Sequence, residues 1–244
     1  MTTTSLSRTA RRRWWWASWG LTAVLAIGIA GYAVPPYLSG NPEASNVPVN
    51  PDVALHYLTL AVHALPGGLA LIIGPFQFVS RLRARSPRLH RLLGRIYLIS
   101  VVVAAVASLF AATFSLSGFS IRVAFYILAV AWLYTAAKAY RTIRRGEVAL
   151  HRVWMIRNYA LTFAAVTLRI YLITGLAVKS SFPGLEFEAI YDASGWASIL
   201  VNVLVAEYFI VQRTLAPLAR TRRSTKDSAP VPGENLVGTA SPGV

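Results

Sequence analysis

Apolar stretches of about 20 residues alternate with short polar segments along this chain, and this alternation constrains the fold more than any other feature. A stretch of that length crosses the hydrocarbon core of a bilayer when it forms an α-helix. Six stretches can be placed, at residues 14–35, 54–78, 92–114, 121–140, 153–178 and 193–211. Only 14% of the residues are charged, against about 25% in a typical soluble domain. The sequence therefore predicts an all-α, polytopic membrane helix bundle with about six transmembrane helices.

The basic residues are concentrated at one set of helix ends. Most of the 24 lysines and arginines lie before the first stretch, between the second and third, between the fourth and fifth, and after the sixth. Because basic loops stay on the cytoplasmic side of a membrane, both termini are predicted to be cytoplasmic. A net charge of +15 in a soluble chain would suggest nucleic-acid binding. Here topology explains the charge, so no nucleic-acid partner is predicted, and anionic lipid headgroups on the cytoplasmic side are the expected partners.

This topology divides the chain into three parts. We predict a basic cytoplasmic N-terminus at residues 1–13, a six-helix membrane domain at 14–216 and a disordered cytoplasmic tail at 217–244, which is rich in Ser, Pro, Gly and Thr. The first apolar stretch has an alternative interpretation as a signal peptide that is cleaved near Ala33. Its length favours a retained helix, because the apolar core of a signal peptide has about 7–15 residues.

Polar residues recur on inward-facing stripes of three predicted helices. On the second helix, His56 and His63 alternate with small residues at steps of four and three, so they share a face that is expected to contact other helices. On the fifth helix, Arg169 is an intramembrane charge, which costs about 3 kcal/mol or more unless it finds a partner or water. We call these residues the polar seam: His56, His63, Gln77, Asn158, Arg169, Asn202 and Glu207.

The sequence leaves two interpretations of the polar seam open. Buried polar residues often only hold helices together through hydrogen bonds, but they also line paths for protons and ligands. Arg169 and Glu207 are predicted to lie at different depths in the membrane, so a direct ion pair between them is not expected. We expect Arg169 to be held by polar groups or water on the face that it shares with His63.

Two further histidines open the third and fifth predicted helices from the cytoplasmic side. His90 and His151 are each preceded by Leu and followed by Arg. Two neutral imidazoles at equal depth can ligate one haem iron, and Arg91, Arg95 and Arg152 can pair with the haem propionates. These five residues are the candidate cofactor-binding residues, and haem b is the candidate cofactor. The alternative is that they only face lipid headgroups.

Several ordered motifs carry a resemblance to a known family. They are His63, Gly74-Pro75-Phe76-Gln77-Phe78, Pro87-Arg88-Leu89-His90-Arg91, Gly94-Arg95-Ile96-Tyr97, His151-Arg152-Val153-Trp154, Leu168-Arg169 and the pair Asn202 and Glu207. In these motifs the chain resembles a family of bacterial membrane proteins, the domain of unknown function 2306, over the second to sixth predicted helices. The resemblance implies a multi-pass protein of the bacterial cytoplasmic membrane and no particular activity.

A second resemblance rests on fewer residues. His63 and Gln77 in one helix, a short basic link, and a Pro-x-x-His-x-x-x-Gly pattern at Pro87 are similar to cytochrome b561, a family that holds two haems between four helices. The resemblance implies one haem, held by His90 and His151. A second haem would need a histidine in the fourth predicted helix, which has none, and the ascorbate chemistry of that family is not implied.

The sequence contains no complete catalytic signature. It has no cysteine, which excludes disulfides and thiolate metal sites. It also has no phosphate loop, dinucleotide fingerprint, His-Glu-x-x-His helix or nucleophile elbow. Two functions stay open: haem b electron transfer in the membrane, and a non-enzymatic transport or accessory role that uses the polar seam.

Overall fold

The structure, a computed structural model, describes residues 8–182 and 184–212. Within these ranges the regular elements are all helical, and six helical segments are long and apolar enough to cross a membrane. The predicted all-α bundle of about six spans is therefore confirmed. The predicted tail at residues 217–244 lies outside the described part, and the side of the membrane on which the basic loops lie stays a prediction.

The bundle is built from eight α-helices in the described residues. They are α1 (Arg8–Ala33), α2 (His56–Gln77), α3 (Ser80–Arg85), α4 (Pro87–Phe114), α5 (Phe119–Arg144), α6 (Val148–Thr162), α7 (Ala164–Lys179) and α8 (Phe187–Ile210). Two short 3-10 helices, Pro35–Leu38 and Pro42–Ala44, lie between α1 and α2. The helices α6 and α7 together form one candidate span, Val148–Lys179. Large apolar side chains such as Leu58, Val102 and Leu200 are exposed on the outside, as lipid contact requires.

The helices extend beyond the apolar stretches that predicted them. Helix α1 begins at Arg8, α4 at Pro87, and α5 runs through to Arg144. Arginine side chains can extend from the end of a span toward the headgroups, so a basic helix end needs no loop at the membrane surface. Proline is also well suited to the first helical position, as at Pro87. The loop between α5 and α6 contracts to three residues, in which Gly146 has a positive φ of 76°.

The fifth predicted span is interrupted at Phe163, between α6 and α7. The Val166 N–H donates to the Phe163 carbonyl at 2.9 Å, a tighter turn than the α-helix makes. Neither proline nor glycine marks this position. After the break, α7 packs against α1, and Val166 lies in a buried cluster with Ala26, Ala30 and Leu71. The interruption thus lets one span contact two sides of the bundle.

Small residues allow the helices of the bundle to approach closely. A side-chain carbon added at Gly74 of α2 would meet the ring of Tyr159 on α6, and one added at Gly68 would meet Val34. Glycine at such positions permits the close contact that stabilises membrane helix pairs. On α8, Gly195 packs in the same way against Ile121 of α5. By its internal contacts the chain divides after Ala206, and the packing described here lies within the residues before that point.

Candidate functional site

A cavity of about 250 Å³, partly open to the outside, lies between the helices of the bundle. By the same measure one water molecule needs roughly 10–15 Å³, so the space admits a small organic molecule or many waters. Residues of α1, α2, α4, α5, α6 and α7 line it, together with the segment between α1 and α2 and Tyr191 of α8, and most of these residues are Ala, Gly, Leu or Val. Three members of the polar seam, His56, His63 and Arg169, lie in this wall.

Arg169 is the charged side chain among the residues that line the cavity. One nitrogen, Nη1, donates to the Ala165 carbonyl of its own helix at 2.7 Å. In the described part of the chain, no carboxylate lies within the 4.0 Å of a salt bridge to it. His63 and Tyr191 lie within electrostatic range of the guanidinium. The remaining N–H groups of Arg169 are therefore left to whatever occupies the cavity.

The tautomer of His63 follows from its hydrogen bond. Its Nδ1 lies 2.9 Å from the Ala104 carbonyl of α4. A carbonyl oxygen only accepts hydrogen bonds, so Nδ1 carries the proton. In the neutral ring Nε2 is then an unprotonated acceptor. Because His63 lines the cavity, the ring contributes a hydrogen-bond acceptor to its polar region.

His56 has the opposite tautomer. The Asn50 backbone N–H donates to its Nδ1 at 2.8 Å, so this nitrogen is unprotonated and the neutral ring carries its hydrogen on Nε2. The side chain is 0% exposed, and Nε2 is buried without a hydrogen-bond partner. The Ala111 carbonyl lies nearby, but no bond of ordinary length forms. An unsatisfied buried N–H costs about 1–3 kcal/mol. His56 borders the cavity, but the ring has no accessible surface and so presents no atom to the contents.

Asn158, by contrast, has all its polar atoms paired. The Tyr97 hydroxyl donates to Oδ1 at 2.7 Å, and Nδ2 donates to the Trp132 carbonyl at 3.0 Å and to the Thr135 hydroxyl at 2.8 Å. The Thr162 hydroxyl accepts from the Trp132 indole at 2.9 Å and lies 2.9 Å from the Tyr97 hydroxyl. We call these five residues the α4–α5–α6 network. They join three helices, which is the role of helix–helix hydrogen bonding.

Sequence reasoning missed most of this network. Tyr97, Trp132 and Thr135 were not among the candidate site residues, although each is more than nine-tenths buried. A usable signal was present, because a Tyr or Trp inside an apolar span needs a partner for its O–H or N–H group. The identity of that partner is set by neighbouring helices and cannot be read from one helix.

The other members of the polar seam lie apart from the cavity wall. Asn202 donates from Nδ2 to the Ala160 carbonyl at 3.0 Å and to the Thr167 hydroxyl at 3.1 Å, so it joins α8 to both sides of the break at Phe163. Gln77 is buried at the opposite end of α2 from His56, with an unpartnered Nε2. Glu207 lies near the end of α8.

The two candidate haem ligands are brought together at the basic helix ends. His90 and His151 lie within electrostatic range of each other. His151 donates from Nδ1 to the Ala139 carbonyl at 2.8 Å, which leaves Nε2 as a free lone pair. The Nδ1 of His90 is buried without a partner. Ligation through His90 Nε2 would require a proton on that enclosed nitrogen, so His151 fits haem ligation and His90 fits it poorly.

The arginines around these histidines differ in their exposure. Arg91 and Arg152 are exposed, and Arg91 is within electrostatic range of His90. Arg95 is also exposed. Sequence reasoning missed Arg83 of α3, which lies near both His90 and Arg152. Burial, and then the positive charge of Arg152, lower the pKa of the Arg83 guanidinium.

A known protein family matches more than half of this chain. The profile of the family described as "Predicted membrane protein (DUF2306)" matches residues 60–210, which is more than half of the chain. The chain belongs to this family, as the motifs predicted. No curated protein and no solved structure matches the chain. The resemblance to cytochrome b561 therefore stays a prediction.

Proposed function

We propose that this membrane protein holds a small molecule in the cavity between its helices and acts as a non-enzymatic transport or accessory protein. Its family description names a membrane protein and no activity, so the proposal rests on the site. The observation that carries it is the Arg169 guanidinium in the cavity wall, which has one backbone carbonyl as its hydrogen-bond acceptor and no carboxylate at salt-bridge distance in the described chain.

The free-energy cost of an unpaired charge in the membrane favours a bound ligand over a purely structural role for Arg169. A charge inside a span costs about 3 kcal/mol or more unless it is paired or hydrated. Residues that only hold the helices together, such as Asn158 and Asn202, have their side-chain donors satisfied by protein. Arg169 instead lines a space large enough for a ligand and has one backbone carbonyl as its acceptor. A bound polar group would satisfy donors that the protein leaves open.

The proposal also includes the membrane in which the protein is located and the lipids that it contacts. We place the protein in the bacterial cytoplasmic membrane, with its basic helix ends against anionic lipid headgroups. The exposed arginines at the ends of α3, α4 and α6 support such an interaction, since each basic residue near an anionic surface contributes about 1 kcal/mol. The positive charge needs no nucleic-acid partner.

The test is saturable binding of small amphiphilic probes. Purified protein in zwitterionic lipid nanodiscs is titrated with octan-1-ol and with octanoate, and binding to empty nanodiscs is subtracted. We expect at least one probe to bind saturably to the wild type and to be lost in Gly67→Leu, which places a large side chain in the cavity wall. Gly31→Leu, where an added side chain meets open space, is the control. If neither probe binds saturably to the wild type, the proposal is wrong.

Haem b electron transfer is the second candidate function. It is favoured by the proximity of His90 and His151 and by the Nδ1 hydrogen bond of His151, which orients Nε2 as a ligand should be oriented. The enclosed Nδ1 of His90 argues against it. A bound haem would supply one-electron chemistry, and the exposed Arg91, Arg95 and Arg152 would be available for its propionates.

An absorption spectrum decides this second candidate. Protein purified from haem-replete cells should show a reduced-minus-oxidised haem b signal, which His90→Ala and His151→Ala should each abolish. His63→Ala, which changes a histidine in the cavity wall, should retain the signal. A colourless wild-type protein would exclude the haem function and leave the cavity proposal in place.

A further inference from the structure

We infer that the ligand of the cavity is a monocarboxylate with an apolar body, and that its carboxylate binds at Arg169. This inference rests on the proposed function, because it names the class of molecule that the cavity holds. It follows from three properties of the wall: its charge, its hydrogen-bond donors and the apolar area around them.

The charge of the wall selects an anion. Arg169 is charged at any physiological pH, and no Asp or Glu is among the residues that line the cavity. A cationic ligand would therefore meet a like charge in a region of low dielectric, which is strongly unfavourable. An arginine can bind both oxygens of a carboxylate through two parallel N–H donors, and such charge-assisted hydrogen bonds are about twice as strong as neutral ones.

The donors of the wall also favour an anion. Arg169 Nη1 donates to the Ala165 carbonyl at 2.7 Å, and in the described part of the chain no carboxylate lies at salt-bridge distance from the guanidinium. A carboxylate in the cavity would supply charge-assisted acceptors for the remaining N–H groups of Arg169.

The rest of the wall suits a hydrocarbon chain. Leu60, Gly67, Leu71, Leu128 and Ala129 line the cavity and present no polar side chain. Burial of a methylene group there is worth about 0.8 kcal/mol. A phosphate group would carry up to two negative charges against the single arginine of the wall. The wall therefore matches one monoanionic head and one apolar tail better than it matches a phosphate.

The experiment compares three heads on one tail. Octanoate, octan-1-ol and octyl phosphate are titrated into wild-type protein in zwitterionic nanodiscs at pH 7.5, with binding to empty nanodiscs subtracted. We expect octanoate to bind about tenfold more tightly than octan-1-ol and more tightly than octyl phosphate. In Arg169→Gln the preference for octanoate over octan-1-ol should disappear, while octan-1-ol still binds and so reports an intact cavity.

The outcomes separate this inference from the proposed function. If neither octanoate nor octan-1-ol binds saturably, both proposals fail. If the two bind equally, the cavity is a ligand site but the carboxylate assignment is wrong. Tighter binding of octyl phosphate, or a carboxylate preference that persists in Arg169→Gln, would also overturn the assignment. If the Arg169→Gln protein loses octan-1-ol binding, Arg169→Lys provides the second test, since it must keep part of the preference for octanoate.

Discussion

The cavity wall and the α4–α5–α6 network both place polar side chains inside one bundle, yet Arg169 in the wall and Asn158 in the network differ in their hydrogen bonding. In the network, Asn158 uses both N–H groups and its carbonyl oxygen in bonds to neighbouring helices. In the cavity wall, His56 has an unpartnered N–H and Arg169 has one backbone acceptor. The comparison teaches that polarity inside a membrane protein does not identify a site. Unsatisfied polarity beside an open space is the informative feature.

The two regions should therefore respond differently to mutation. A substitution in the network leaves buried partners unpaired and should lower the free energy of unfolding. A substitution in the cavity wall removes a group that the protein itself hardly uses, so it should change ligand binding and leave stability nearly intact. Thr162 and Trp132 belong to the network and also line the cavity, so they are unsuitable for separating the two effects.

The largest loss of stability is expected for Asn158→Leu. The change removes three side-chain hydrogen bonds, those of Asn158 to the Tyr97 hydroxyl, the Trp132 carbonyl and the Thr135 hydroxyl. At about 0.6–1.7 kcal/mol for each membrane hydrogen bond, the free energy of unfolding should fall by roughly 2–4 kcal/mol. Reversible unfolding in detergent measures it, with Ser108→Ala, which loses only a bond within its own helix, as the control. An unchanged unfolding free energy would show that the network does not stabilise the bundle.

The pair Gly74→Ala and Gly67→Ala compares tight and ordinary packing on one helix. At Gly74 the new methyl group would meet the Tyr159 ring, whereas at Gly67 it would lie 3.7 Å from the Ala104 side chain. Overpacking should cost about 1–3 kcal/mol for Gly74→Ala, and Gly67→Ala should change stability by less than about 0.5 kcal/mol. Equal losses in the same unfolding measurement would contradict the packing described for α2 and α6.

Tyr97→Phe should have a smaller effect than either of these disruptive changes. It removes one hydroxyl and leaves the Asn158 Oδ1 without its donor, which should cost about 1 kcal/mol. Because Tyr97 and Asn158 share a bond, the double variant Tyr97→Phe with Asn158→Leu should lose less stability than the sum of the single losses. Strict additivity in this cycle would mean that the two side chains do not interact.

Arg169→Leu should have the smallest effect on stability and the largest on binding. The change removes a costly intramembrane charge, so membrane insertion and the unfolding free energy should be unchanged or slightly improved. Octanoate binding should weaken about tenfold, to the level of octan-1-ol, and any transport activity should be abolished. If Arg169→Leu destabilises the protein as much as Asn158→Leu, Arg169 belongs with the structural residues and the distinction between the two regions fails.

The sequence predicted the fold and the inward faces well, because both follow from local periodicity. Apolar stretches of span length predicted six membrane helices, and steps of three and four residues placed His56 and Gln77 on an inward face, where both are buried. The break at Phe163 was not predictable, since neither proline nor glycine marks it. It arises with tertiary contacts, such as that between Val166 and Leu71.

The sequence could also not predict which members of the polar seam find hydrogen-bond partners and which do not. Whether a buried side chain finds a partner depends on distant segments, as when a loop N–H from Asn50 sets the tautomer of His56. The Ala104 carbonyl does the same for His63 from another helix. The pairing of Asn158 with Tyr97 likewise joins residues that are 61 positions apart. The haem ligands and the orientation in the membrane stay predictions.

The position of Trp132 has a practical consequence. Its indole N–H is anchored to Thr162, and its ring borders the cavity. An indole held rigidly at the edge of a binding space is an intrinsic fluorophore, whose emission responds to the polarity of the adjacent contents. The chain has 7 tryptophans, and subtraction of the Trp132→Phe emission spectrum isolates this one. The fluorescence of Trp132 can therefore be used to follow ligand binding and release in the cavity in real time, without an added label.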